Sequence, residues 1–260
     1  MRFKKNIVKN KLRCNKTVYG SWLNIPSLEV CEIMARSGYD FLVIDQEHGT
    51  VNLETIQKMI MVCEGYDVIP YVRISQNDPT LIKRVLETGC YGIIVPMVNS
   101  SDDVGTAVNA LYYQPVGSRG VGLSRAQGYG IDFQRYKNWY ENNISLIVQI
   151  EDVKAIQNLN TFISNDKIDC ALIGPYDLSA SVGKPGNFSD PEVNEKLQLF
   201  ENTMKTNQKC MGYHIVHPTL QEIGLRVQNG YRCIILGIDE IYLAKKSMEC
   251  LTEAKNIAVE

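Results

Sequence analysis

An alternation constrains this chain more than any other feature of it. Eight short runs rich in Ile, Val and Tyr recur at 18–24, 41–47, 68–74, 91–98, 145–151, 169–175, 211–216 and 232–238. Several are continuously apolar, as strands covered on both faces must be. The stretches between them carry helix signals. Ser27 opens one helical pattern that stops at Gly38, and Asn52 opens another that stops at Gly65. Asp78 caps a third, with Pro79 at its first position and Gly89 past its end; Asp190 and Pro191 repeat that opening, and a further pattern ends at Gly230. Eight strands alternating with helices over 260 residues predict an α/β fold, a (β/α)8 TIM barrel filling 1–260 as one domain. An open doubly wound sheet would carry a glycine-rich phosphate turn after its first strand, and none is present.

Composition narrows the partners. A hydrophobic share of 45% with 22% charged residues is that of a globular chain, and a net charge of −2 offers no footprint for nucleic acid. No apolar run reaches the roughly 18 residues of a membrane span. The first sixteen residues are basic but lack an apolar core segment and a small-residue cleavage site. They read as a lead-in helix within 1–17, its basic face solvated, and not as a secretory signal. Eight cysteines are scattered with no C-x-x-C pair, several in apolar surroundings, which predicts reduced, buried thiols and a cytoplasmic protein.

Barrel active sites lie at the C-terminal ends of the strands, so the polar residues there are the candidates. The second run ends in Asp45, Gln46, Glu47 and His48, the third in Arg73, the fifth in Gln149 and Glu151, and the sixth leads into Tyr176 and Asp177. Gln149 and Glu151, two apart on a strand, share a face. With Asp177 close by, Glu151 suits a hard divalent cation; a pair of carboxylates bridged to barrel arginines reads equally well. His48 is either a loop histidine or a general base oriented by Asp45. Arg73 is suited to a developing oxyanion. No lysine ends a predicted strand, which argues against Schiff-base chemistry, and no G-x-S-x-G element suggests acyl transfer.

The blocks FLVIDQEH, YVRISQNDP, VQIE and LIGPYDLS, in this order, resemble the HpcH/HpaI family of metal-dependent pyruvate aldolases. IIVPMV, YYQPVGSRGVG and LGID agree with it, so the resemblance runs from about Val18 to about Asp239. It implies His48 as the base, Arg73 as the group that stabilises a pyruvate enolate, and Glu151 and Asp177 as ligands of Mg²⁺, Mn²⁺ or Co²⁺. Gln149 and the Tyr176–Asp177 backbone would hold the pyruvyl group, and Glu87 would raise the basicity of the histidine. The implied reaction is reversible cleavage of a 4-hydroxy-2-oxo acid to pyruvate and an aldehyde. The alternatives on the same site are oxaloacetate decarboxylation and a citrate-lyase-like acyl-CoA reaction. A non-catalytic binding barrel is disfavoured, because His48, Arg73, Glu151 and Asp177 are all present.

His214, Tyr176 and the segment GVGLSRAQGYG depart from the family pattern on the aldehyde side. They suggest a more polar, sugar-like or deoxy-ulosonic substrate; the other reading of His214 is a core histidine bonded to Tyr176 or His217. The family also implies a homo-oligomer, a hexamer or a dimer with swapped C-terminal helices. In 240–260, Ile241, Ala244, Met248 and Leu251 recur at helical spacing, which suits packing on either the chain's own barrel or a neighbour's.

Overall fold

The computed structural model describes residues 3–257; residues 1–2 of the basic lead-in and 258–260 of the C-terminal segment lie outside the described residues. Eight parallel strands close into a barrel in chain order: β1 (Val18–Leu23), β2 (Phe41–Asp45), β3 (Ile69–Arg73), β4 (Gly92–Val95), β5 (Ser145–Ile150), β6 (Cys170–Ile173), β7 (Met211–Ile215) and β8 (Tyr231–Ile238). Each lies inside a predicted run except β8, which begins one residue earlier.

The helices are α1 (Ile7–Arg13), α2 (Leu28–Arg36), α3 (Leu53–Gly65), α4 (Pro79–Glu87), α5 (Ser101–Leu111), α6 (Phe133–Asn143), α7 (Val153–Phe162), α8 (Pro175–Ser181), α9 (Pro191–Thr206), α10 (Leu220–Gln228) and α11 (Asp239–Ile257). The capping signals act as expected. The side chains of Ser27, Asn52, Asp78 and Asp190 accept from backbone N–H groups in the first turns of α2, α3, α4 and α9, satisfying donors that have no intrahelical partner. Of the eight cysteines, Cys31, Cys63, Cys90, Cys170 and Cys233 are buried, Cys210 is half-buried, and Cys14 and Cys250 are exposed.

The lead-in helix differs from expectation. Instead of presenting a wholly solvated basic face, α1 closes the base of the barrel. Lys9 is turned inward, 2% exposed, its Nζ 3.3 Å from Asp169 Oδ2 and donating to the Ile144 carbonyl. Arg13 Nε donates to the other oxygen of Asp169 at 2.7 Å. Burial pushes the Lys9 pKa down, and the Asp169 carboxylate opposes that shift. Asn6 caps α1 and donates to the hydroxyls of Tyr71 and Ser145 in the barrel interior. The open lower end of a parallel barrel exposes polar groups, and the lead-in supplies their partners.

Asp169→Ala leaves Lys9 buried without its counter-charge. The expected cost is about 3 to 5 kcal/mol, measured as a lower midpoint in urea unfolding.

Candidate active site

Parallel strands bring all their C-terminal ends to one mouth, and a cavity of about 280 Å³ opens there. Asp45, His48, Arg73, Gln149, Tyr176, Asp177 and His214 line it, so most of the sequence-predicted residues meet in one place. Register explains the tightest contact. Asp45 and Arg73 are direct partners across β2 and β3. Arg73 Nε donates to Asp45 Oδ1 at 2.8 Å and its Nη2 to Oδ2 at 2.6 Å, a bidentate, charge-assisted pair. Arg73 Nη1 lies 3.3 Å from Glu47 Oε2, and the guanidinium carbon sits 4.1 Å from the centre of the Trp22 ring. Aromatic face and carboxylates together fix the plane of the arginine.

This arrangement corrects the reading of Asp45. Its carboxylate serves Arg73 and also accepts from the backbone N–H groups of Glu47 and His48, at 3.0 and 3.4 Å. It thus shapes the turn that carries His48. The carboxylate beside the imidazole is that of Glu47, with Oε2 3.9 Å from His48 Nε2. The turn is tight: a Cβ on Gly49 would fall 2.4 Å from the Asp45 carbonyl oxygen, so a residue without a side chain is required there. The imidazole itself stands at the rim, 61% exposed.

Across the mouth, Gln149 Nε2 donates to Glu151 Oε1 at 2.6 Å, as the shared strand face predicted. The Met97 backbone N–H, from the loop after β4, donates to Glu151 Oε2 at 2.8 Å. Gly174 separates Glu151 from Asp177. A Cβ on it would lie 3.4 Å from Glu151 Oε1 and 3.3 Å from Asp177 Oδ2, so both oxygens border the gap that this glycine leaves. Burial pushes the Glu151 pKa up to about 7, with Glu47 and Asp177 adding to the shift. Burial likewise raises Glu47, opposed by Arg73 and reinforced by Asp45 and Asp177.

Four carboxylates therefore gather around Arg73, more negative charge than a single guanidinium neutralises. The gap beside Gly174, bordered by two carboxylate oxygens, fits a hard divalent cation. Among the described residues no point is surrounded by three or more His, Cys, Asp or Glu side chains, so substrate and water oxygens would complete the coordination.

Glu87 does not join the site. It ends α4, which runs back from the mouth to the base of the barrel, and its Oε1 accepts from Arg119 at 2.8 Å and from Gln127 at 3.3 Å. Arg119 is packed among the rings of Tyr113, Tyr136 and Tyr140. A role for Glu87 in tuning His48 therefore has no basis within one chain.

His214 is bonded to neither Tyr176 nor His217. Its ring meets Trp22 edge-on with centroids 5.6 Å apart, and its Nε2 is buried without a hydrogen-bond partner. Burial, then the charge of Arg73, pushes its pKa down to about 3, against a hydrogen bond to the Gly237 backbone. The ring is neutral at pH 7. Trp22 and the Met97 N–H are site groups that the sequence reading did not single out, and Glu47, named there only as one of the polar residues ending the second run, had been given no role. The strand period alone points Trp22 inward.

With this geometry in place, comparison with known proteins is decisive. Residues 19–245 match the model of the HpcH/HpaI aldolase/citrate lyase family. The chain belongs to this family. A 4-hydroxy-2-oxo-heptane-1,7-dioate aldolase of Salmonella heidelberg is 33% identical over 243 residues, covering 93% of this chain and 91% of that one. An HpcH/HpaI aldolase/citrate lyase family protein from Burkholderia cenocepacia superposes with a TM-score of 0.91 at 26% identity, over 96% and 100% of the two chains. The citrate synthase SbnG superposes with a TM-score of 0.86 at 28% identity, over 97% and 98%.

The raised Glu151 pKa has a sign that can be checked. Unfolded, this carboxyl ionises near its ordinary value of 4.5; folded, it keeps its proton up to about 7. Native protein thus binds the extra proton between these values, and stability contributed by the group falls as pH rises through them. In chelator-treated protein, Glu151→Gln should flatten the decline of Tm between pH 5 and pH 8 and raise Tm by a few degrees at the upper end.

Proposed function

We propose that this chain is a divalent-metal-dependent aldolase that cleaves a 4-hydroxy-2-oxo acid to pyruvate and an aldehyde. The observation that carries the reading is the surplus of carboxylate around Arg73, with Glu151 and Asp177 facing each other across the gap at Gly174. Those two residues would hold the cation, as Mg²⁺, Mn²⁺ or Co²⁺. The cation would supply Lewis-acid polarisation of the 2-oxo acid oxygens.

The chain's own groups do the rest. Gln149, fixed through Glu151, and the first turn of α8 at Tyr176 and Asp177 line the space for the pyruvyl end. In cleavage a ring nitrogen of His48 takes the C4 hydroxyl proton, the C3–C4 bond breaks, and its electron pair passes to the C2 oxygen. Arg73, already aligned by Asp45 and Trp22, donates to that oxyanion without reorganising. Protonation at C3 then gives pyruvate, and condensation is the reverse. The citrate lyase branch of the same family keeps oxaloacetate and acyl-CoA substrates in the assay panel as the alternative.

The assembly is read as a homo-oligomer. After its first turn, α11 leaves the barrel with Leu243, Met248, Leu251 and Ile257 between 56% and 79% exposed. Ile241, Ala244 and Met248 line an apolar groove beside His217, which favours packing on a second copy over packing on the chain's own barrel. No helix among the described residues is long and apolar enough to cross a membrane. The scattered, unpaired cysteines support a cytoplasmic setting.

Pyruvate release from 4-hydroxy-2-oxo acids should vanish on exhaustive chelation and return with Mn²⁺, Mg²⁺ or Co²⁺. Activity that survives chelation would remove the metal from the mechanism. Arg73→Lys keeps the charge but loses the fork to Asp45, and kcat should fall about a hundredfold or more. Met248→Glu with Leu251→Glu should give a smaller species than wild type in light scattering, and a wild type that is already monomeric would refute the assembly.

A further inference from the structure

The base of the barrel carries a cavity of its own. Beside the end of α1, the loop before β6, the end of α9 and the first residues of β7 and β8 enclose about 730 Å³. Arg13, Lys205, Lys209 and Arg232 line it from four places in the chain, with Leu12, Ile168 and Met204 among its apolar walls. Gly230, at φ +100°, leaves part of the lining without a side chain. A Cβ there would stand 3.2 Å from Met211 Cε and 3.8 Å from Lys205 Cε, so the lysine stem runs past the glycine. The side chains of Arg13 and Lys205 are 51% and 52% exposed, so a solute reaches these charges directly from water.

The acids around this cavity already have partners. Asp169 accepts from Arg13 at 2.7 Å and faces Lys9 at 3.3 Å, and Asp166 accepts from Lys167 Nζ at 3.0 Å. Glu201, one turn before Lys205 on α9, lies 3.7 Å from the Lys205 Nζ. Two cations remain. Arg232 is held by main chain alone, with Nε donating to the Asn15 carbonyl at 3.2 Å and Nη1 to those of Val227 and Tyr231 at 3.0 and 2.9 Å. Lys209 Nζ donates to the Asn165 carbonyl at 2.8 Å. Carbonyls orient these groups without cancelling their charge. Burial pushes the Lys209 pKa down, with Arg13 adding to the shift, and Asp166 and Asp169 oppose it from further off without offsetting it. Lys9, Arg13, Lys167, Lys205, Lys209 and Arg232 thus meet only Asp166, Asp169 and Glu201, the reverse of the balance at the mouth. A concave surface with one sign of charge in excess concentrates ions of the other sign.

We propose that the base cavity is a second binding site, for a phosphate-bearing anion, with Lys205, Lys209 and Arg232 receiving the phosphate oxygens. The ammonium of Lys209 keeps hydrogens beyond the one given to Asn165, and Arg232 keeps its Nη2. A phosphate brings more than one negative charge and several acceptor oxygens to such donors, where a lone carboxylate would offset less of the surplus. The volume leaves room for an organic body against Leu12, Ile168 and Met204. The site lies at the opposite end of the barrel from Arg73, so the inference does not depend on the aldolase reading.

The test measures binding of ADP, inorganic pyrophosphate and adenosine by calorimetry on chelator-treated protein, at a fixed ionic strength of about 0.15 M. ADP and pyrophosphate should bind with Kd below about 1 mM and raise Tm by a few degrees at saturation. Adenosine, which has no phosphate, should do neither. Lys209→Gln combined with Arg232→Gln should weaken both anions about tenfold or more. Lys205→Glu, at a half-exposed side chain, should weaken them comparably without changing the Tm of the free protein, which separates lost binding from lost fold. Arg73→Lys, at the mouth, should leave both Kd values as in wild type. Binding of neither anion, adenosine bound as tightly as ADP, an affinity lost in Arg73→Lys, or one unmoved by the base variants would overturn the site.

Discussion

The bidentate bond between Arg73 and Asp45 is the contact on which the rest of the site depends. The register of two neighbouring parallel strands sets it, so it is as rigid as the barrel. It fixes the plane of the arginine and at the same time engages the arginine's charge. Glu47, Glu151 and Asp177 are then left with more negative charge than the chain itself balances. Burial answers by holding a proton on Glu151 up to about pH 7. A divalent cation answers more completely, because it meets two carboxylates at once and leaves positions for substrate oxygens. Pairing at one place thus creates the demand for a cation at another.

The same economy explains where small residues stand. Gly49 lets the turn after β2 fold back onto the Asp45 carbonyl, which sets His48 at the rim. Gly174 keeps the space between Glu151 and Asp177 free of side chain. Neither glycine touches substrate in the proposed mechanism, yet each controls the position of a group that does. On the opposite face, α1 meets the barrel's buried polar groups with Asn6 and Lys9, so the base is closed by hydrogen bonds and charge while the mouth stays open for chemistry.

Much of this was legible in the sequence because it follows from period and spacing. Strand runs, helix caps and the shared face of Gln149 and Glu151 are local properties, and the structure keeps them. What was not legible depends on partners distant in sequence. Asp45 stands three residues before His48 and reads as its partner, but the cross-strand neighbour Arg73 competes for the carboxylate with two charged hydrogen bonds and wins. Lys9 reads as one of a solvated basic set until Asp169, far along the chain, draws it inward. Glu87 stands on the helix where the family resemblance implies an acidic residue, yet the direction of α4 carries it to the base and into the hold of Arg119. The Met97 N–H leaves no trace in side-chain chemistry, since any residue there supplies it.

These differences divide the molecule usefully. The reacting end of the site is built on strand termini, whose positions the barrel dictates: Asp45, Arg73, Gln149 and Glu151 have little freedom to move. The neighbouring cavity is built from α8, the loop after it, the β7 terminus and α10, where Tyr176, Phe188, His214 and the Glu222–Arg226 pair meet. Phe188 and the Glu222–Arg226 pair border only the neighbouring cavity and can change without disturbing the carboxylates around Arg73, whereas Tyr176 and His214 line the reacting cavity as well. A barrel of this kind can therefore keep one bond-breaking chemistry and vary the aldehyde it releases.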